Sequence, residues 1–427
     1  TAKEKTTYKA FERLYDNKTP TLKCSQTNDR FTVNDSINAV AGNGTLTNPI
    51  GLITADEMYY AGDIYNANNS KYYLYAGSDY WTMTPSHYQV GAYLFVVNVP
   101  LKTADTSRTM VRPVISISGT ALNAGTGAKT DPFKIDAAKN TLTQLGLTEN
   151  TDTPDFSKTS CSSGCEESTV GIYKTQDDLG TSYYFRGNVE NNYVYFANYY
   201  WRIIRINGDG SIRMIYDGTS AHDNGESTDD RLIGTTIFND RNSNAYVGYK
   251  YGSSTATTYE ETHKNTTDST IKRVVDSWYK TNILDKGFSS YLVDSIYCND
   301  RSLSSGTGIS QNITYYKADE RLYTNKTPTF SCTQSNDKFT VNANEGNGSL
   351  QYPVGLITAD EIVYSGVAFQ EVNNSSYLSI GLGYFTMTPA FFHVQAGASS
   401  YKLSSENKIA SDSANNADGV RPVISIS

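Results

Sequence analysis

Three stretches of this chain occur twice, and that repetition limits what it can fold into more than its composition does. Asn17-Lys-Thr-Pro-Thr21 returns as Asn325-Lys-Thr-Pro-Thr329, Gly51-Leu-Ile-Thr-Ala-Asp-Glu57 as Gly355 to Glu361, and Val111-Arg-Pro-Val-Ile-Ser-Ile-Ser118 as Val420 to Ser427. The separations are 308, 304 and 309 residues, so only short loop insertions distinguish the copies. Identities of this length at nearly constant spacing mark a duplication. On this reading residues 1–136 are the C-terminal half of a first repeat, 137–169 a Thr-, Asp-, Pro- and Ser-rich linker with a small disulfide loop, and 170–427 a second repeat. The first copy lacks an opening half but carries a closing strand, Pro132-Phe-Lys-Ile-Asp136; the second has the opening half and lacks that strand.

The opening half holds the densest β signal, Ser182 to Asp217. Tyr183, Phe185, Val189, Tyr193, Tyr195, Tyr199 and Trp201 alternate with polar residues, and Asn207-Gly208-Asp209-Gly210 reverses the chain into Ser211 to Tyr216. This predicts a hairpin at the centre of a half-buried antiparallel sheet. Tyr93 to Val97 and Val111 to Ile117 are strands by length. Helices are few. Ile271, Val274, Val275 and Trp278 fall at helical spacing over Asp268 to Lys280, with Asp268 as the expected N-cap, and a second short helix is expected over Ser290 to Tyr297. Thr54 to Glu57 and Thr358 to Glu361 each match a capping box. The expected fold class is therefore α+β, rich in antiparallel sheet.

Composition removes several functions. Lys+Arg 36 against Asp+Glu 44 gives a net charge of −8, without the basic footprint that nucleic acid requires. Only 19% of residues are charged while Tyr contributes 34, a profile suited to β surfaces outside the cell. No apolar run approaches the roughly 20 residues that span a bilayer. Thr1-Ala-Lys-Glu-Lys5 does not read as a signal peptide, so an export signal or anchor is expected outside this stretch.

Five cysteines in such a chain read as structural disulfides of an exported protein. Cys161 is expected to pair with Cys165 around Gly164, and Cys298 with Cys332. Cys24 occupies in the first copy the position of Cys332, so its partner is expected upstream of Thr1. The alternative is five reduced, buried cysteines; no clustered His supports a zinc site.

No catalytic constellation is legible. His87, His222, His263 and His393 are scattered, and no nucleophile elbow, zinc-protease or phosphate-loop spacing occurs. Neither a catalytic residue nor a cofactor nor a resident metal is expected. Asp177-Asp178 and Asp229-Asp230 read as solvated acidic loops, with calcium as the alternative. The most specific grouping is Tyr80-Trp81-Thr-Met-Thr-Pro85 and Tyr384-Phe385-Thr-Met-Thr-Pro389, each followed by the Arg-Pro strand of Arg112 or Arg421. Tyr80, Trp81 and Arg112, and likewise Tyr384, Phe385 and Arg421, could line a sugar-binding face; the competing reading makes the rings core and the arginines ion-pair partners.

Tyr200-Trp-Arg-Ile-Ile-Arg205, the Trp278 helix, Gly355 to Glu361, Tyr384 to Pro389 and Gly419-Val-Arg-Pro-Val423, in that order, resemble a family of uncharacterised domains in surface and secreted proteins of Bacillota. That family is similar to the C-type-lectin-like fold of formylglycine-generating-enzyme relatives. The resemblance covers Gly171 to Ser427, and Thr1 to Asp136 as a half copy. It implies tandem C-type-lectin-like domains whose N- and C-terminal strands come together, and it does not imply catalysis: the copper-binding cysteine pair and the calcium–sugar motif have no counterpart. The expected function is a non-enzymatic structural or adhesive repeat of a bacterial cell surface or extracellular filament, with a carbohydrate-binding module as the alternative. A sheet short of a strand is a template for another, so the expected partners are copies of itself, head to tail, with a glycan or host surface also possible.

Overall fold

The Tyr-rich stretch folds as its pattern dictates. In the computed structural model, Tyr199–Ile206 and Ile212–Gly218 form the hairpin, turned at Asn207 to Gly210. Gly210 has φ 88°, a conformation glycine adopts freely. A tighter turn, with Ala197 and Asn198 at φ 53° and 66°, joins Tyr193–Phe196 to the hairpin. The structure describes residues 4–33, 42–63, 69–89, 91–96, 101–105, 109–117, 122–130 and 132–427, in two units, 1–119 and 120–427. Residues Thr1, Val97 and Ser118, which the sequence reading used, lie outside the described residues.

In the larger unit the main sheet runs Val423–Ile426, Ile212–Gly218, Tyr199–Ile206, Gly180–Arg186, Gly171–Asp177. The last strand of the chain lies antiparallel to the hairpin, with Ile424 opposite Met214. A second sheet is ordered Thr235–Ile237, Ala417–Gly419, Tyr384–His393, Thr314–Tyr316, Leu303–Gly306, extended from Tyr384–His393 by Gly397–Leu403 and Ile409–Ser413. One core joins both sheets to the helix Thr270–Tyr279.

Several expectations need correction. The hairpin is not half-buried: Arg202, Arg205 and Arg213 are themselves buried, and strict alternation, which would set Arg202 and Arg205 on opposite faces, is broken by a register shift between Ile203 and Arg205. The helix Thr270–Tyr279 is capped by Ser269, not Asp268, because Asp268 pairs with Lys250. The expected helix from Ser290 to Tyr297 is a single turn, Ser289–Tyr291. Beyond it the backbone is claimed by neighbours: Val293 N donates to Ser425 O, and Tyr297–Cys298 pairs with Lys338–Phe339. Nor is 137–169 a free linker. Ala137–Gln144 is a helix capped by the Asp136 side chain; Ala138 and Leu142 enter the core, and Thr141 Oγ1 donates to Gly210 O at 2.7 Å. Lys134–Ile135, within the expected closing strand of the first copy, belongs to the larger unit and pairs with Leu122–Ala124.

The smaller unit is built on a sheet ordered Thr6–Thr7, Trp81–Tyr88, Ala92–Val96, Leu101–Thr103, with the helix Ala55–Tyr60. Its core is two small clusters, one on Ala10, Leu14, Ala55 and Phe95, the other on Met58, Tyr72 and Tyr80. The duplicated sequences make duplicated contacts. Arg13 clasps Asp56 through two bonds of 2.7 and 2.6 Å; Arg321 clasps Asp360 through two of 2.7 Å. Both capping boxes close, and Thr84 and Thr388 each accept from the first helical amide at 2.9 Å. Among the described residues no helix is long and apolar enough to cross a membrane.

Trp201 is fully buried, and its ring lies 6.1 Å from that of the half-buried Trp278. Trp201→Ala should cost the larger unit about 3 to 5 kcal/mol, and Trp278→Ala less, read from urea unfolding followed by circular dichroism.

Candidate functional site

The residues expected to line a ligand face are placed differently. Tyr384 and Phe385 are fully buried; the Tyr384 hydroxyl donates to Leu378 O at 2.9 Å, and the Phe385 ring packs on Phe238. Arg421 is equally buried, its Nη2 2.6 Å from Asp217, its Nε donating to Tyr216 O and its guanidinium stacked on Tyr384. In the larger unit the sugar-binding face is therefore corrected to core and ion pair: both rings are packed inside, and the guanidinium is matched by Asp217. In the smaller unit Tyr80 is buried and donates to Leu74 O, Trp81 is half-buried, and Arg112 is exposed, stacked on Tyr80 with Nη1 donating to Leu74 O.

The cysteines fall into two bonded pairs, Cys161 with Cys165 and Cys298 with Cys332; Cys24 is free and exposed. The histidines do not converge. His263 Nε2 meets Asp337 at 2.7 Å in the core, His222 sits between Glu226 and Asp230, and His87 stacks on Tyr93. Among the described residues no group of three or more His, Cys, Asp or Glu could hold a metal ion.

What does converge is a set of charges, among them Asp177 and Asp178, which the structure corrects from a solvated acidic loop to largely buried ion-pair partners. Glu361, the capping residue of the helix Ala359–Tyr364, takes Thr358 N on one oxygen. Its other oxygen lies 2.6 Å from Arg213 Nε and 3.3 Å from Arg205 Nε. Arg205 reaches Asp177 at 3.2 Å, and Arg321 bridges Asp360 and Asp300. Lys338 pairs with Asp178, whose other oxygen accepts the Cys332 amide. All of these charged groups but Lys338 line a cavity of about 40 Å³, walled also by Cys298 and Phe330. Such a space holds a water or two, not a sugar ring. Burial opposes ionisation of Glu361, yet the adjacent Arg213 and Arg205 hold its carboxyl below its ordinary value. Burial pushes Asp300 up, against the pull of Arg321. The ion pairs join the opening hairpin to the helix Ala359–Tyr364 and to the strand Gly171–Asp177. A second buried set, Arg231–Asp217–Arg421, joins hairpin, loop and Arg-Pro strand with both arginines 2.6 Å from one Asp217 oxygen.

The signal for both sets is present in the arginines of the hairpin and the Arg-Pro motif, but a sequence does not say which carboxylate will meet them. The chain matches no family model, no curated protein and no solved structure.

Removing Glu361 leaves the buried Arg213 without its carboxylate and Arg205 with Asp177 alone. Glu361→Ala should destabilise the larger unit by about 3 to 5 kcal/mol, whereas Glu57→Ala in the smaller unit, where the carboxylate only caps, should cost about 1 kcal/mol or less. The Glu361 carboxyl is lowered on folding, so its contribution is full above the unfolded carboxyl range, about 4.3, and fades as pH falls through the folded value. The stability gap between wild type and Glu361→Gln should accordingly narrow on acidification, as urea titrations at a series of pH values would show.

Proposed function

We propose that this chain is a non-enzymatic structural or adhesive repeat protein of a bacterial cell surface or extracellular filament, built from tandem C-type-lectin-like domains. One observation carries the reading: in the larger unit each arginine and aromatic ring of the repeated motifs is spent on holding the repeat together. Tyr384, Phe385 and Arg421 are consumed by the core, and Glu361, Arg205 and Arg213 by one another. A repeat whose specific residues are all structural suits a protein that works by persisting and by being joined to others like it.

Other features agree. Two disulfides suit an oxidising exterior. Low charge and 34 tyrosines suit β surfaces that meet their own kind. The pairing of the last strand with the opening hairpin agrees with a fold whose ends come together. Partners in this reading are copies of the same repeat, joined head to tail.

Antibody against residues 170–427 should decorate intact, unpermeabilised cells of the source bacterium. A glycan array should give no saturable binding. Saturable binding that Trp81→Ala removes would replace this reading with that of a carbohydrate-binding module.

A further inference from the structure

The duplication supplies a comparison within one molecule. Residues of the smaller unit that stand in open solvent have equivalents in the larger unit that are buried. Leu22 is 71% exposed and its counterpart Phe330 7%; Phe31 is 46% exposed against 0% for Phe339; Tyr60 is 59% against 4% for Tyr364; Ile115 is 64% against 0% for Ile424. What buries each counterpart comes from residues 171–306. Phe330 and Tyr364 pack on Tyr184, Phe339 pairs in register with Tyr297, and Ile424 lies opposite Met214.

The polar groups tell the same story. Glu361 meets Arg205 and Arg213, while Glu57 is exposed and has no arginine beside it among the described residues. Arg421 meets Asp217; Arg112, bonded to a carbonyl, has no carboxylate partner among the described residues. Cys332 is bonded to Cys298, whereas Cys24 is free and exposed. Apolar surface, one carboxylate, one guanidinium and one thiol thus stand open at the positions where the larger unit receives its own opening half.

We infer that this face of the smaller unit is the seat of another opening half, a segment equivalent to residues 171–306, carried ahead of it in the same polypeptide. The proposal rests on the tandem-repeat reading for its source and on the paired exposures for its surface. The order inside residues 170–427, opening half before closing half, is the order the seat requires. A second copy of this chain is a poor occupant. Its opening half is already engaged by its own closing half, and withdrawing it would bare on the donor the same surface it covers on the acceptor. A lipid or glycan would leave Glu57, Arg112 and Cys24 without the complementary groups that their counterparts meet.

The test extends the chain. A copy of residues 171–313 is joined directly to Thr6 of the full chain, reproducing the junction that precedes Thr314. Diamide, an azo oxidant, then takes two protons and two electrons from the Cys24 thiol and the added copy's Cys298 thiol, leaving one disulfide and the hydrazine. The expected result is that disulfide in peptide maps, with the Ile115 amide slowed at least tenfold in hydrogen exchange, toward the rate of Ile424. A parallel preparation carries Cys298→Ser in the added copy, and another supplies the segment as a separate polypeptide during refolding. Ile424 reports in each that the larger unit is folded. An unprotected Ile115 and an alkylatable Cys24 in all three formats overturn the proposal. So does a dimer of the unextended 47.0 kDa chain in which Cys24 is shielded, since that seats a second copy. A positive glycan array would overturn the proposed function and leave the seat standing; an open seat would leave the surface-repeat reading standing.

Discussion

The larger unit depends on one carboxylate. Glu361 closes the capping box of its own helix with one oxygen and neutralises two arginines of the opening hairpin with the other. Without that charge Arg213 would lose its carboxylate and Arg205 would keep only Asp177, and burying the face of the hairpin that bears them would strand a charge. With it, the hairpin is covered on both faces and the two ends of the repeat are held in one sheet. A buried ion pair adds little net stability over an apolar substitute, but it fixes which segments meet, because any other arrangement strands a charge.

The two copies separate what local sequence sets from what assembly adds. The capping boxes, the Arg–Asp clasps and the tyrosine hydroxyls bonded to the carbonyls of Leu74 and Leu378 occur in both units. All of these partners lie within the closing half, so they form whether or not anything covers it. The differences at Phe330, Phe339, Tyr364, Glu361, Arg421 and Cys332 are in contacts whose second partner lies in residues 171–306. The smaller unit accordingly keeps its helix and short sheet on two modest clusters, while the larger unit gathers one core from both halves.

Much of this was legible in the sequence, for identifiable reasons. Period-two alternation with Asn-Gly-Asp-Gly specifies a hairpin, and Thr-x-x-Glu specifies a cap, because each signal is complete within a few residues. The helix Ala137–Gln144 was hidden because only Ala138 and Leu142 give it an apolar side, and its threonines read as loop. The capping residue of Thr270–Tyr279 was displaced by one because Asp268 and Ser269 can both cap; a distant lysine, Lys250, decides between them. The buried arginines were missed for a related reason. Alternation assigns residues to two faces, but whether the polar face meets water or a carboxylate depends on chain far away in sequence.

The Arg-Pro strand shows how one sequence can carry both outcomes. Its inner edge finds the same local partner in each unit: Gly51 bridges Val114, and Gly355 bridges Val423. Proline cannot donate to a ladder, yet Pro422 still accepts, taking Tyr216 N at 2.9 Å, so the strand is admitted beside the hairpin from that residue onward. Arginine one position earlier is then carried to Asp217, and Val423 and Ile424, on opposite faces of a sheet covered on both sides, are both buried in the core. The short motif thus sets register, charge partner and burial together, but only along the edge where a hairpin lies. Where that edge is open the same residues can satisfy the inner pairing alone, which is why identical sequence is a core strand in one unit and a surface strand in the other.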